Sequence, residues 1–408
     1  MNLAALGAWF HARTRWEKTA IAVWGAVLLF VSVRVFIFPD SRTVYPIFSA
    51  SGHLWWDGAE LYEPYRPTQV RNGYRYAPGF AILITPFAVL PDSIGGVLWR
   101  LFGAATFLGS LVWFVRSVLP LRLTGNPLAW LLLLTLPLML QSLNNGQANL
   151  LVAGCMLATV AAVREERWNL ASMFLAIAFL CKLYPLVLGL VLIVLYPRQL
   201  IWRMPLACAV TLLAPFLCHQ PDYVIDQYGK FIALLRSEDR SEISGQHMYR
   251  DLWLLIYLYG LPISRSAYMI VQVAAGAGVA ALCWHRQRLG WSPQALLTST
   301  LALVTAWMML LGPATESSSF ALLALPFAWS VVEAVQGKTR SARHGLLWAS
   351  FAMFILAVVV GGMQREWRFH EAGVHSWGSL CYLMYLLSEP RVPLAGALQL
   401  FETKLRAA

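Results

Sequence analysis

A lysine stands inside an apolar run, Phe179-Leu-Cys-Lys182-Leu-Tyr-Pro185. A charge at the centre of a bilayer costs about 2.5–3.5 kcal/mol, so Lys182 is a functional candidate with an anionic partner, most simply a lipid phosphate. The alternative is a side chain that snorkels to the interface where proline breaks the helix. Asp40, in Phe38-Pro-Asp-Ser-Arg-Thr-Val-Tyr-Pro46, lies where a long apolar stretch meets water. Partial desolvation there suits a proton acceptor, against the plainer reading of an exposed turn residue. Asp57 and Glu63, in Trp55-Trp-Asp-Gly-Ala-Glu-Leu-Tyr-Glu63, are rival carboxylates. Their tryptophans could stack on a sugar face or simply anchor the chain at an interface.

Polar groups of other kinds cluster between apolar runs. Ser142-Leu-Asn-Asn-Gly-Gln-Ala-Asn149 offers the amides of Asn144, Asn145, Gln147 and Asn149. Amides hydrogen-bond sugar hydroxyls, and they also cap helices. His247, Tyr249, Arg250 and Asp251 precede an apolar segment and are placed to reach a cleft. Glu316, in Gly312-Pro-Ala-Thr-Glu-Ser-Ser-Ser319, is a carboxylate beside hydroxyls, with helix capping as its bland alternative. Arg34 sits within the first apolar stretch, where snorkelling outward is an easy escape.

The elements that must position these residues are membrane helices. Of 408 residues, 59% are hydrophobic and 12% charged, whereas soluble domains average about 45–50% apolar and about 25% charged. Disorder is excluded by the same numbers. Stretches such as 19–38, 148–163 and 345–362 are apolar on nearly every face, which excludes the alternating segments of an outer-membrane barrel. The prediction is an all-α polytopic bundle of about ten to twelve spans, a single multipass membrane domain over residues 1–408. The net charge of +11 is scattered in short clusters, so it reads as positive-inside orientation and not as a nucleic-acid surface. The six cysteines show no paired spacing, and no acidic cluster has metal-ligand spacing, so neither metal nor cofactor is expected.

With Arg13, Arg15 and Lys18 inside, the first span exits near Asp40. Residues 78–91 are too few for a comfortable span and read as a re-entrant or interfacial piece, with 95–116 as the return. The run from Trp168 to Tyr196 must go out and back, turning at Lys182. Loops 39–77 and 219–251 then emerge on one external face together with the Asn144–Gln147 turn, Lys182 and Glu316. A transporter would keep its polar groups near the midplane in broken, paired helices. One-sided gathering favours a surface-facing catalytic cleft, with a secondary transporter or lipid flippase using Arg34 and Lys182 as the second reading. Phosphate-loop, zinc-protease, nucleophile-elbow and dinucleotide motifs are all missing.

The order Asp40, Thr43-Val-Tyr-Pro46, Glu60-Leu-Tyr-Glu-Pro64, Tyr74-Arg-Tyr-Ala-Pro-Gly-Phe80, Asn145-Gly-Gln-Ala-Asn-Leu-Leu151, Cys181-Lys-Leu-Tyr-Pro185 and Gly312-Pro-Ala-Thr-Glu316 resembles glycosyltransferase family 87. These are polyprenyl-phosphate-mannose-dependent mannosyltransferases of the GT-C fold class. The resemblance implies a multipass enzyme of a plasma membrane, the inner membrane of a bacterium. It would transfer a sugar with inversion from a polyprenyl-phosphate donor to a glycan or lipid acceptor hydroxyl on the external, periplasmic side. It also implies a carboxylate base in the first external loop, at Asp40 or Asp57. Where many members carry Trp-Asp-His late in the chain, this one has Thr315-Glu-Ser317. A phosphate leaving group needs no general acid, so one carboxylate suffices to take the acceptor proton. Lys182 and Arg250 are expected to stabilise the departing phosphate, with Tyr76, Asn145, Gln147, Asn149, His247 and Glu316 orienting sugar and acceptor.

Overall fold

A computed structural model describes residues 13–62, 73–119, 126–237, 249–261, 263–313, 315–337, 342–363 and 372–388. The described residues are helices and connections, without strands. The first helix, α1 (Arg15–Ile37), starts at a capping box in which Thr14 and Glu17 satisfy each other's backbone N–H groups. Two short helices follow, α2 (Tyr45–Trp56) and α3 (Pro78–Ala88), and then the long α4 (Asp92–Ser117). At 11 residues, α3 is about 16 Å long, half of a hydrocarbon core of about 30 Å, as a re-entrant or interfacial piece requires.

The central body consists of α5 (Pro127–Asn145) and α6 (Asn149–Arg164), followed by α7 (Trp168–Cys181) and α8 (Leu186–Leu195). After the short α9 (Pro197–Leu200) comes α10 (Arg203–Leu213), extended by a 3-10 turn at Ala214–Leu217. Next are α11 (Pro221–Ser237), α12 (Leu252–Leu258), α13 (Arg265–Arg288) and α14 (Pro293–Leu311). The 3-10 segment Ser317–Leu323 leads into α15 (Ala324–Gln336), and α16 (His344–Met363) and α17 (Val374–Leu387) complete the order.

Seven segments are long and apolar enough to cross a membrane among the described residues. Five shorter apolar helices, α3, α6, α7, α8 and α16, accompany them among the described residues. Burial sorts these passes. The apolar windows of Pro293–Leu311 and Ser317–Gln336 are 83% buried, against 22% for α1 and 17% for α13, so the first two are central and the last two face lipid. Helix α6 is central as well, buried from Asn149 to Val163. Its Gly154 lets the α4 backbone approach so closely that an added Cβ would lie 2.9 Å from Thr106 and Phe107.

Helices α7 and α8 form the hairpin demanded by the Lys182-Leu-Tyr-Pro185 break. Trp168, at the start of α7, meets Tyr196, just past α8, with ring centroids 5.5 Å apart, so both ends of the hairpin lie at one boundary and Lys182 at its tip. The 14 and 10 residues of these helices span about 21 and 15 Å, short of a full crossing, so the tip is recessed within the apolar layer.

The two loops carry structure that the hydropathy pattern did not reveal. The 39–77 segment holds α2, and the 219–251 segment, expected as an external loop, begins with the 17-residue α11. This helix is stapled to the first segment by Lys230, which pairs with Glu60 and Asp226, and by the Gln227 side chain, which accepts from Leu61 N–H at 3.1 Å. Glu63 and His247 lie outside the described residues.

Candidate functional site

The end of α5 builds the floor of the site. A helix leaves its last carbonyls without intrahelical donors, and in an apolar layer those carbonyls must find others. Arg100, on α4, donates from Nε to the Leu143 carbonyl at 3.0 Å and from Nη2 to the Asn144 carbonyl at 3.2 Å. It also donates to the Gly96 carbonyl at 2.8 Å and the Thr43 hydroxyl at 2.7 Å. Arg34, on α1, donates to the Asn144 carbonyl at 2.9 Å and the Ser41 carbonyl at 3.0 Å. The Asn145 carbonyl accepts from Val44 N–H at 2.9 Å and from Thr43 Oγ1 at 3.1 Å, and the Gly146 carbonyl from Trp99 Nε1 at 2.9 Å. Gly146 turns the chain at φ +72°, and a Cβ there would lie 2.7 Å from the Arg100 guanidinium. Only glycine meets both conditions without displacing the arginine.

That arrangement mounts Asp40 beside the amide turn, since Ser41, Thr43 and Val44 are all tied to the 144–145 backbone or to its arginines. Asp40 itself is exposed, so the protein alone does not supply the desolvation expected of it. Asp57 is also exposed but lies past the far end of α2, at its C-cap, next to the Trp55–His219 ring contact. The 12 residues of α2 separate the two carboxylates' mounts by about 18 Å.

From the same floor runs a hydrogen-bonded chain of three of the expected residues. Tyr76 Oη donates to Gln147 Oε1 at 3.1 Å, and Gln147 Nε2 donates to Glu316 Oε2 at 3.2 Å. Glu316 is held in turn by Ser318 Oγ at 3.3 Å and by a capping box with Ser319, so the expected capping role is real, with the carboxylate itself as the cap. Tyr76 is fixed by stacking on Phe80, 4.3 Å between centroids, and by the edge of Phe48 at 4.9 Å. Arg250 N–H donates to the Thr315 carbonyl at 2.6 Å, which brings the 249–251 segment to the same place, and Arg75 reaches the Tyr249 hydroxyl at 3.1 Å.

Lys182 caps the α7/α8 hairpin in extended backbone and is half-buried. Its ammonium lies 5.5 Å from the centroid of the Tyr184 ring and has no carboxylate partner among the described residues. The Tyr184 hydroxyl is buried and makes no hydrogen bond. Both groups are hydrogen-bond donors, and donors of this kind suit an anion.

Four of the expected residues have other duties. Asn149, expected to orient sugar, is fully buried, and its amide donates to the Ser318 carbonyl at 2.9 Å, pinning the Glu316 segment to α6. Asn145 acts through its carbonyl, while Arg250 is buried at 8% exposure and reaches Glu316's neighbour through its backbone. Asp251 caps α12 through Leu254 N–H. Arg100, Tyr184 and Arg75, the partner of Tyr249, were missed. A lone arginine within the apolar residues 95–115 carried the signal for Arg100, because an intramembrane charge must have partners. No group of three or more His, Cys, Asp or Glu gathers among the described residues.

Burial raises the phenols of this region above their ordinary value. Burial is the first cause for Tyr62, Tyr74 and Tyr76, followed at Tyr76 by the neighbouring Glu316 charge and at Tyr62 by Tyr74. Free tyrosine ionises near pH 10. Above that pH the unfolded chain releases protons that the folded chain retains, so stability is complete below about pH 10 and is lost as pH rises beyond it. Thermal unfolding in detergent should show a midpoint that falls between about pH 10 and 11, with a shallower fall for Tyr62→Phe. A flat midpoint over that interval would contradict the assignment.

The family model described as Glycosyltransferase family 87 matches residues 74–313, more than half of the chain. The match takes in Tyr76, the amide turn, Lys182 and Arg250, and it leaves Asp40, Asp57 and Glu316 outside. The chain resembles ArnT from Cupriavidus metallidurans bound to undecaprenyl phosphate, at 14% identity over 89% of this chain and 76% of that one, with a TM-score of 0.40. The apo state of the same protein gives 12% identity over 90% and 77%, also at 0.40. No curated protein sequence matches the chain.

Proposed function

The chain belongs to glycosyltransferase family 87, and from that membership we propose that this membrane enzyme transfers mannose from a polyprenyl-phosphate carrier to a hydroxyl of a glycan or lipid acceptor. The reaction takes place on the external face. The observation that carries this reading is the recessed Lys182, unpaired and beside the unsatisfied Tyr184 hydroxyl, at the end of the bundle that also holds Asp40 and the Tyr76–Gln147–Glu316 chain. A polyprenyl-phosphate carrier, anchored in the apolar layer by its chain, can bring its phosphate to these two recessed donors. The basic residues Arg13, Arg15, Arg116, Arg198 and Arg203 fall at the opposite end, which is the inside by positive-inside bias.

The chemistry is a single displacement. The acceptor oxygen attacks C1 of the sugar from the face opposite the phosphate, and the C1–O bond to phosphate breaks, which inverts the anomeric centre. Asp40 takes the acceptor proton as that oxygen gains its new bond. The polyprenyl phosphate leaves with the electron pair, and its added charge is met by Lys182 and Tyr184. Gln147, poised between Tyr76 and Glu316, presents an amide whose remaining hydrogen-bonding capacity faces sugar hydroxyls.

The transporter reading loses one of its two charges at Arg34. That guanidinium donates to the Ser41 carbonyl, past the end of α1, and to the Asn144 carbonyl in the last turn of α5.

Purified protein given a synthetic polyprenyl-phosphate mannose and a panel of hydroxyl acceptors should release polyprenyl phosphate. Lys182→Gln should raise the KM for the donor by about tenfold, the value of one charge-assisted hydrogen bond. Release with an unchanged donor KM would remove Lys182 from the phosphate site. Transfer from a nucleotide sugar alone would overturn the carrier assignment.

A further inference from the structure

At the end of the bundle opposite the candidate site, α1, α4 and α5 leave a groove of about 370 Å³ between them. Trp24, Gly25 and Leu28 of α1 face Leu108 and Val112 of α4 across it, and Leu132 of α5 lies on its wall. The back is rigid, because Trp24 Nε1 donates to the Leu132 carbonyl at 2.8 Å. At the mouth stand Arg13, Glu17 and Arg116. Arg13 pairs with Glu17 at 3.6 Å, and this pair largely cancels its own charge. Arg116, in the last turn of α4, is exposed and makes no hydrogen bond or ion pair among the described residues.

We propose that this groove is a binding site for an anionic phospholipid of the adjacent leaflet, with one acyl chain between α1 and α4 and the phosphate on Arg116. The apolar walls from Ala20 to Leu28 rise about 12 Å along α1, within the roughly 15 Å that one leaflet occupies. A groove open to the hydrocarbon layer fills with a chain, since an empty one forfeits the dispersion contacts of its whole lining. The head is selected by charge. Among the described residues that line the mouth, Arg116 is the cation without an ion pair, and basic sites between helices at the positive boundary recognise anionic head groups. The phosphate of the sugar donor belongs at Lys182, at the other end of the bundle, so the two lipids do not compete.

Native mass spectrometry of the full chain in detergent, titrated with phosphatidylglycerol or phosphatidylcholine, tests the assignment. Wild type should retain phosphatidylglycerol about fivefold more strongly, the weight of one basic residue near an anionic head. Arg116→Gln should retain both lipids equally. Gly25→Phe should lower the retention of both, because a side chain at Gly25 enters open groove with nothing within 4 Å of its Cβ. Equal retention of the two lipids by wild type overturns the proposal, as does indifference of both variants. Failure of wild type to retain either lipid also overturns it and leaves the groove to residues 1–12 of the chain itself. Loss of polyprenyl phosphate retention in Gly25→Phe would assign the groove to the donor and overturn it as well.

Discussion

Asp40→Asn should lower sugar transfer by about 10²- to 10⁴-fold, the contribution of a positioned general base, while leaving the donor KM and the unfolding temperature near those of wild type. Asparagine keeps the shape of the side chain and removes only its capacity to take a proton, so a fall confined to kcat is the signature. The backbone around residue 40 does not depend on its carboxylate. Ser41 is held by Arg34, Thr43 by Arg100, and Val44 by the Asn145 carbonyl. Asp57→Asn is the control. It caps α2 at the end remote from the amide turn and should change kcat less than threefold or so, a margin below one kcal/mol. Initial rates of polyprenyl phosphate release from synthetic donor decide the matter. Full turnover by Asp40→Asn with loss in Asp57→Asn would move the base to the far end of α2 and require the acceptor to lie over Trp55 and His219.

Much of the fold was legible because membranes impose few solutions. Near-continuous apolar runs bounded by arginines gave the passes, and proline after Lys182 gave the α7/α8 hairpin, which Trp168 and Tyr196 close. Helices α2 and α11 were not legible, because both lie in segments where aromatic and charged residues interrupt hydropathy. Their order depends on long-range partners such as Gln227 with Leu61 and Lys230 with Glu60. The site was legible in its residue types and less so in its division of labour. Tyr76, Gln147 and Glu316 do meet, although 169 residues separate the last two. Asn149, two residues after Gln147, is buried, because it opens α6, which is buried on every side from Asn149 to Val163, whereas Gln147 lies in the turn before it. Arg34 looked like a free intramembrane charge because carbonyl acceptors leave no mark in a sequence.

Arg100 is where the architecture and the chemistry depend on the same atoms, and Arg100→Met should cost about 3 kcal/mol of stability together with a large part of the activity. At 4% exposure the guanidinium has replaced water with the Leu143, Asn144 and Gly96 carbonyls and the Thr43 hydroxyl. Methionine fills similar space and donates nothing. The Asn144 carbonyl keeps Arg34, but Leu143 retains only a long contact from Gly146 N–H at 3.4 Å. A buried acceptor left unsatisfied costs about 1–3 kcal/mol, and Thr43 loses the Arg100 donor while keeping its bond to the Asn145 carbonyl. Thr43 connects the Asp40 turn to the amide turn, so loosening one of its two ties lets the base shift against the sugar site, where a displacement of about 1 Å can cost 10²-fold in rate. Arg100→Lys should recover part of the stability and little of the rate, because an ammonium cannot span the carbonyls on one side and Thr43 on the other as a planar fork does. The measurement is a thermal melt in detergent paired with kcat determined at least ten degrees or so below each variant's transition, so that misplacement is separated from unfolding. Arg100→Met that melts lower but turns over at the wild-type rate would make Arg100 a purely structural cap. A variant that turns over slowly while still folded places it as the residue that positions the base.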